Sequence, residues 1–163
     1  MFVRNIEREV LPTCQRYGMG VIAWSPLNAG WLSGSRKRSA DATGVVTRRS
    51  KLMLQLFDLS DDGEAYKFDL LEELEALAGS IGMPLRQMAL AWTLEHPAVT
   101  SAIIGLRTME HLDGLVDADR HRLPAPVLDR IDELIPPGTS VSRIDDRRNE
   151  PWLTEAGLRR RSG

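Results

Sequence analysis

Cysteine is nearly absent from this chain of 163 residues: Cys14 stands alone. An internal disulfide is therefore impossible, and a thiolate metal cluster cannot form within one copy. A reducing compartment, the cytoplasm, suits such a chain. Lysine is scarce as well, limited to Lys37, Lys51 and Lys67, so the basic charge is almost wholly arginine. No apolar run approaches the roughly 18 residues of a membrane span. Glu7 and Glu9 interrupt the N-terminus, which has no apolar leader core. A net charge of -2 gives no electrostatic reason to expect nucleic acid or an anionic membrane as partner. What remains is an ordinary globular composition, 42% hydrophobic and 27% charged.

The strongest apolar feature is Gly20-Val21-Ile22-Ala23-Trp24-Ser25, which meets Pro26 and then a loop bearing Gly30 and Gly34. Six apolar-rich residues closed by a proline read as a buried strand rather than a helix. Before it, Ile6, Val10, Leu11, Cys14 and Tyr17 recur at helical spacing, with Gly18 at the C′ position. Pro12 places the regular start of that helix near Leu11.

Residues 35–60 lack periodicity and read as a long loop. Ser60-Asp61-Asp62 then supplies capping and dipole-complementing groups to a helix striped by Tyr66, Leu70, Leu74, Leu77 and Ile81 and ended by Gly82. Pro84 suits the start of another, with Leu85, Met88, Ala89, Trp92 and Leu94 on its apolar face and Pro97 after it. Thr100–Ile104 reads as a second strand, followed by Gly105 and by Thr108 as a helix N-cap. Met109, Leu112, Leu115 and Val116 line that helix, and Val127, Leu128, Ile131 and Leu134 line the last. From Pro136 the composition turns rich in Pro, Arg and Asp. The expected division is a domain over 1–135 and a tail over 136–163.

Strands alternating with helices predict an α/β fold with a parallel sheet. Two strands are few for such a sheet, because apolar parallel strands need cover on their faces and neighbours at their edges. The element count alone therefore predicts part of a larger fold.

Gly18-Met19-Gly20-Val21-Ile22-Ala23 formally fits a dinucleotide-binding fingerprint. That motif needs a strand before its glycines and a helix after them, and the order here is reversed. The strand ends are better candidates. Ile103-Ile104-Gly105-Leu106-Arg107-Thr108 runs from strand through glycine to a capped helix, and its guanidinium suits a phosphate. The plainer reading is a turn with a solvated Arg107. Trp24 offers a flat face for a ring and Gly30 a close backbone approach, while a core aromatic is the plainer reading of Trp24. His96, His111 and His121 lack metal-ligand spacing.

Arg4 to Pro12, Tyr17 to Leu27, Gly30-Trp31-Leu32-Ser33-Gly34, Gln87 to Trp92 and Ala102 to Leu112 follow one another in the order of a known family. The chain resembles the C-terminal portion of an aldo/keto reductase, akin to bacterial members near the potassium-channel β-subunit branch. The resemblance implies a (β/α)₈ barrel of which this chain carries about strands seven and eight, their helices and the C-terminal helix. It implies NADP(H) as cofactor and a small carbonyl compound as substrate. By analogy Trp24 stacks on the nicotinamide, and Ser25, Pro26, Leu27, Gly30 and Leu32 line the pyrophosphate region. Gly105, Arg107 and Thr108 would hold the adenosine 2′-phosphate.

Where relatives carry a Lys after the second glycine this chain has Ser35, with Arg36 and Lys37 adjacent. On the adenine side it has His111, Gly114 and Leu115 in place of Gln, Glu and Asn. The implied catalytic Asp, Tyr, Lys and His belong to early strands, which would precede Met1. Tyr17 and Tyr66 fall on predicted helices, and no lysine follows a strand. The expectation is a truncated, NADPH-binding portion that is inactive alone. The alternative is a non-catalytic NADPH-sensing module, or one completed by an N-terminal half-barrel.

Overall fold

A computed structural model describes residues 1–36, 62–105, 108–113, 115–116, 118–142 and 155–159. Its elements run α1 (Val10–Arg16), β1 (Val21–Trp24), α2 (Asp62–Ser80), α3 (Leu85–Glu95), β2 (Val99–Ile103), α4 (Met109–Asp113), α5 (Ala125–Leu134) and α6 (Ala156–Arg159). Short 3₁₀ segments occur at Asn5–Glu7, Asn28–Ser33 and Ala118–Arg120. The expected order of helices and strands is observed through α5, and α6 is a short helix in the stretch read from the sequence as a tail. No helix among the described residues is long and apolar enough to cross a membrane.

Two glycines end helices as the sequence predicts. After α1, Gly18 adopts φ +65°, its N–H bonds the Gln15 carbonyl and the Met19 N–H bonds that of Cys14 at 2.9 Å. After α2, Gly82 at φ +66° and Met83 repeat the pattern on Gly79 and Ala78. This is the paired-bond terminus that a left-handed C′ residue permits, and a side chain there would strain it.

The strands are parallel, in the register Ile22↔Ser101, Ala23↔Ala102 and Trp24↔Ile103, with an irregularity at Val21. Beside it, the Val21 N–H bonds the Thr100 hydroxyl at 3.1 Å. Each strand differs from its predicted span by a residue at either or both ends. Ser25 falls outside β1 because its φ is +55°, and β2 starts at Val99 and ends at Ile103. Parallel strands need a crossover, and α2 and α3 lie within the one that joins β1 to β2.

The main core lies among the helices. It gathers Phe2, Trp31, Leu32, Phe68, Leu71, Leu74, Met88 and Ile131, most of them fully buried. A smaller cluster of Leu90, Leu115 and Ala118 packs with Leu27, Leu94, Ala102 and Ile104. Helix α3 serves both clusters, so Leu90 and Ala91 are buried beside the predicted Leu85, Met88 and Ala89. A single-face pattern misses this two-sided packing.

Three stripe residues depart from expectation. Tyr66 alone of the α2 stripe is half-exposed: Leu70 and Leu74 are buried and Leu77 and Ile81 pack against the core, while the adjacent Lys67, Phe68 and Leu71 are buried as well. Met109, the first residue of α4, is exposed, and so is Val116, which follows the end of α4 in a turn that sends Leu115 inward. Ser60 and Asp61 of the expected cap, and nearly all of the 35–60 loop, lie outside the described residues.

Residues 136–142 return to the N-terminus. Arg4 N–H donates to the Thr139 carbonyl at 2.7 Å and Val141 N–H to that of Phe2 at 2.9 Å, around an antiparallel Val3–Ser140 bridge. The Arg4 guanidinium completes the join. It bonds Glu7 at 2.8 Å, Asp132 at 2.7 Å and the Ile135 carbonyl at 2.6 Å, and lies 5.1 Å from the centre of the Trp92 ring. Glu7 also accepts the Gly138 N–H at 3.0 Å. The Arg4 and Glu7 side chains are 6% and 14% exposed, against 46% for Asp132, so the Arg4–Glu7 pair should dominate. Arg4→Met is expected to lower unfolding free energy in urea by about 3 kcal/mol, as buried charge partners left unpaired are costly. Asp132→Asn is expected to cost less than about 1 kcal/mol, as exposed pairs do. Equal losses would contradict this assignment.

Candidate active-site edge

The chemistry-bearing residues gather where β1 and β2 end. Because the strands are parallel and Trp24 pairs with Ile103, Ser25 and Ile104 leave the sheet on the same edge. Alternation sends Ile22 and Trp24 of β1 and Ile103 of β2 to solvent, at 64%, 58% and 57% exposure. The β1 residues on the opposite face, Val21 and Ala23, are partly covered. An apolar sheet face this open is unusual for a globular protein.

The loop after β1 is tightly built. Ser25, Asn28 and Ala29 all adopt positive φ, at +55°, +46° and +55°, and Gly30 follows at +102°. Three non-glycine residues in this region within five positions concentrate backbone strain. Local bonds hold them: Asn28 N–H to the Ser25 carbonyl at 2.8 Å, and Ala29 N–H to Ser25 Oγ at 3.2 Å. Gly30 and Leu32 N–H both donate to the Leu27 carbonyl, at 3.0 and 3.1 Å. Ser33 Oγ lies 2.7 Å from both the Gly30 carbonyl and Ser35 Oγ, donating to the carbonyl, and fixes the exit of the loop.

Two buried side chains anchor it. Leu32 sits in the main core, so its side chain faces away from any ligand at the edge. Trp31 is fully buried, meets Phe68 edge-on at a centroid distance of 5.0 Å, and lies 5.3 Å from Lys67 Nζ. On that ring, at 4.6 Å from its centroid, rests the guanidinium carbon of half-buried Arg36. Trp31, Asn28, Ala29 and Lys67 were not singled out by sequence reasoning. A usable signal for Trp31 was present: a Trp-Leu pair between two glycines in a loop has no reason to be apolar unless it anchors.

The second strand end is plainer. Gly105 is exposed, and a Cβ built on it would meet nothing within 4 Å, so its backbone is open to a close approach. Thr108 is exposed just before α4, and the Leu112 N–H bonds its carbonyl at 3.3 Å. Arg107 lies outside the described residues; His111 is on α4, and its side chain lies outside them. Thus Trp24, Ser25, Pro26, Leu27, Gly30, Leu32, Arg36, Gly105 and Thr108 are described, and Trp24, Ser25 and Gly105 share the sheet edge. A half-exposed indole, accessible glycine backbone and a stacked guanidinium would fit an aromatic ring and a nearby anion.

Tyr17, at the end of α1, and Tyr66, on α2, are both exposed and neither follows a strand. Lys67 is enclosed in the core. Among the described residues, no tyrosine or lysine stands at the strand ends.

Comparison with known proteins adds to this picture. The chain is 33% identical over 133 residues to an uncharacterized oxidoreductase, YrpG, of Bacillus subtilis, covering 82% of this chain and 37% of that protein. It is 31% identical over 134 residues to a putative voltage-gated potassium channel subunit beta of Schizosaccharomyces pombe, covering 80% and 38% respectively. Among solved structures it resembles a glycerol dehydrogenase from Gluconobacter oxydans, with a TM-score of 0.69 and 22% identity over 82% of this chain and 39% of the other. It also resembles an aldo-keto reductase from Klebsiella pneumoniae in complex with NADPH, with a TM-score of 0.57 and 24% identity over 87% and 39%. The chain thus spans 37 to 39% of the length of these relatives. The structural likenesses are ones of fold, here α/β with a parallel sheet. The sequence profile of the aldo/keto reductase family matches residues 1–136, and the chain belongs to that family.

Proposed function

We propose that this chain is the NADP(H)-binding, C-terminal portion of an aldo/keto reductase barrel, contributing about strands seven and eight. The observation that carries this reading is the parallel register, which brings the Ser25–Gly34 loop and the Gly105 turn to one sheet edge. Trp24 would face the nicotinamide ring. The strained Ser25-Pro26-Leu27 turn, Gly30 and the Leu32 backbone would line the pyrophosphate, with Arg36 beside it. Gly105, Arg107, Thr108 and His111 would take the adenosine end and its 2′-phosphate. When bound, the cofactor supplies a hydride for reduction of an aldehyde or ketone. This chain's residues bind and orient it. With neither tyrosine nor lysine at the described strand ends, the chain lacks a proton donor there and is inactive alone.

A second reading has its own support in the exposed Ile22, Trp24 and Ile103. Such a face suits cover by further strands of the family's barrel, which makes the chain a non-catalytic NADPH sensor or a module completed by a partner. A cytoplasmic setting, from the single thiol, accords with either reading.

Titration with NADPH, followed by tryptophan fluorescence, is expected to saturate at micromolar concentration. Arg107→Ala should weaken binding about 10–100-fold, the value of a lost charge-assisted hydrogen bond. Absence of any response at millimolar NADPH would remove both readings. The strained loop gives a second expectation: Ala29→Gly raises stability by about 0.5–1 kcal/mol through relief at positive φ, yet weakens NADPH by loosening the loop. Tighter NADPH binding by that variant would argue against a role for the strain. Finally, carbonyl reduction should appear only when a separately expressed segment bearing the family's early strands is mixed with this chain. Turnover by this chain alone would refute the assignment of inactivity.

A further inference from the structure

A cavity of about 320 Å³ opens between the exit of the Ser25–Gly34 loop, α2 and the start of α3. Its walls are Ser33 and Gly34, Glu75 and Gly79 of α2, and the stretch from Met83 to Arg86. None of the strand-end residues Trp24, Ser25 and Gly105 lines it. Small-molecule sites run from about 300 to 1,000 Å³, so the space suits a small ligand.

Arg86 is the wall residue with a bond still to make. Its Nε is shielded from solvent and has no hydrogen-bond partner. The guanidinium enters no ion pair among the described residues, and Glu75 on the same wall has an interaction of its own. A buried donor left unpaired destabilises a fold, and native structures keep few of them. The backbone beside it also has donors to spare. Pro84 precedes α3 without a side-chain cap, and the Gln87 and Met88 N–H groups return to its carbonyl. The Leu85 and Arg86 N–H groups come before these first bonds, at the positive end of the helix dipole.

Two glycines keep the space open. A Cβ built on Gly34 or on Gly79 would meet nothing within 4 Å. Met83, Pro84 and Leu85 add apolar wall. Ser33 Oγ already donates to the Gly30 carbonyl, so the donors on offer are the guanidinium and the α3 backbone. Together they match an anion with three oxygens better than one with two.

We propose that this cavity is a second ligand site, which takes a small phosphate ester on Arg86 and the start of α3. The site stands apart from the NADP(H) reading and does not depend on it. Because Nε is closed to water, the guanidinium re-seats on the arriving phosphate, and binding satisfies a donor that the free protein leaves unpaired. Glu75 narrows the choice of ligand. Its carboxylate disfavours a second negative group on that wall and can accept a bond from a hydroxyl of the organic body.

Urea unfolding of the full chain tests this, with millimolar glycerol 3-phosphate as probe and sodium chloride at matched ionic strength as control. The probe should raise the unfolding midpoint with its concentration, and chloride should not. Arg86→Met should raise the midpoint of the ligand-free protein, by removing the unpaired donor, and lose the shift caused by the probe. Gly79→Ala adds one methyl to the open space. It should leave the ligand-free midpoint unchanged or higher and weaken the probe about tenfold. NADPH affinity should stay within about twofold in both variants, as for independent sites. A shift retained by Arg86→Met, or lost in Arg107→Ala instead, overturns the proposal. So does a parallel loss of NADPH binding in both variants, because the cavity would then belong to the cofactor site. Inorganic phosphate should compete with the probe, and equal competition by acetate would overturn the preference for phosphate. Should Arg86→Met fail to fold, Gly79→Ala decides, and full affinity in that variant overturns the site. Wild-type chain that ignores glycerol 3-phosphate also overturns it, and leaves the NADP(H) reading untouched.

Discussion

Parallel pairing of β1 with β2 is the constraint on which the rest of this structure depends. Antiparallel strands would place the Ser25 and Ile104 ends at opposite edges of the sheet. In parallel, with Trp24 opposite Ile103, both strands end together. The pairing also demands a long crossover, and its helices α2 and α3 supply much of the main core. The smaller cluster, which includes Ala102, reaches the sheet through α3. The edge that can meet a ligand is thus held by helices packed away from it.

Charge is used sparingly inside this framework, and each buried cation has a structural task. Arg4 joins the first residues to the end of α5 and to the 136–142 segment through side-chain and backbone bonds together. Lys67 lies within an aromatic enclosure of Phe2 and Trp31. Arg4 belongs to the stretch Phe2 to Arg4, and Lys67 of α2 meets that stretch at the Phe2 ring. That stretch is part of the core.

Much of the fold was legible because periodicity and punctuation agree. Gly18 and Gly82 end helices where the apolar spacing stops, and Pro84 precedes α3. On α2 the stripe holds except at Tyr66, and the burial of Lys67 beside it was not legible, because a lysine counts as polar in any pattern while its site is made of aromatics remote in sequence. The two-sided burial of α3 was hidden for a similar reason: Leu90 and Ala91 are buried by contacts that no single helix face announces. At the site, Trp24, Ser25 and Gly105 were legible as strand ends. The role of Trp31 was not, since a ring's value as an anchor depends on Phe68 and Lys67 arriving beneath it.

By itself the sequence determined the order of elements, the α/β class and the residues that leave the strands, because local propensity and apolar period act over a few neighbouring residues. Only the tertiary structure decided which strand ends meet, that Ser25, Asn28 and Ala29 hold strained backbone, and that Arg36 rests on Trp31. Those outcomes follow from packing between segments far apart in the chain. Register, buried charge and stacked rings are properties of pairs, and a linear pattern records only one member of each.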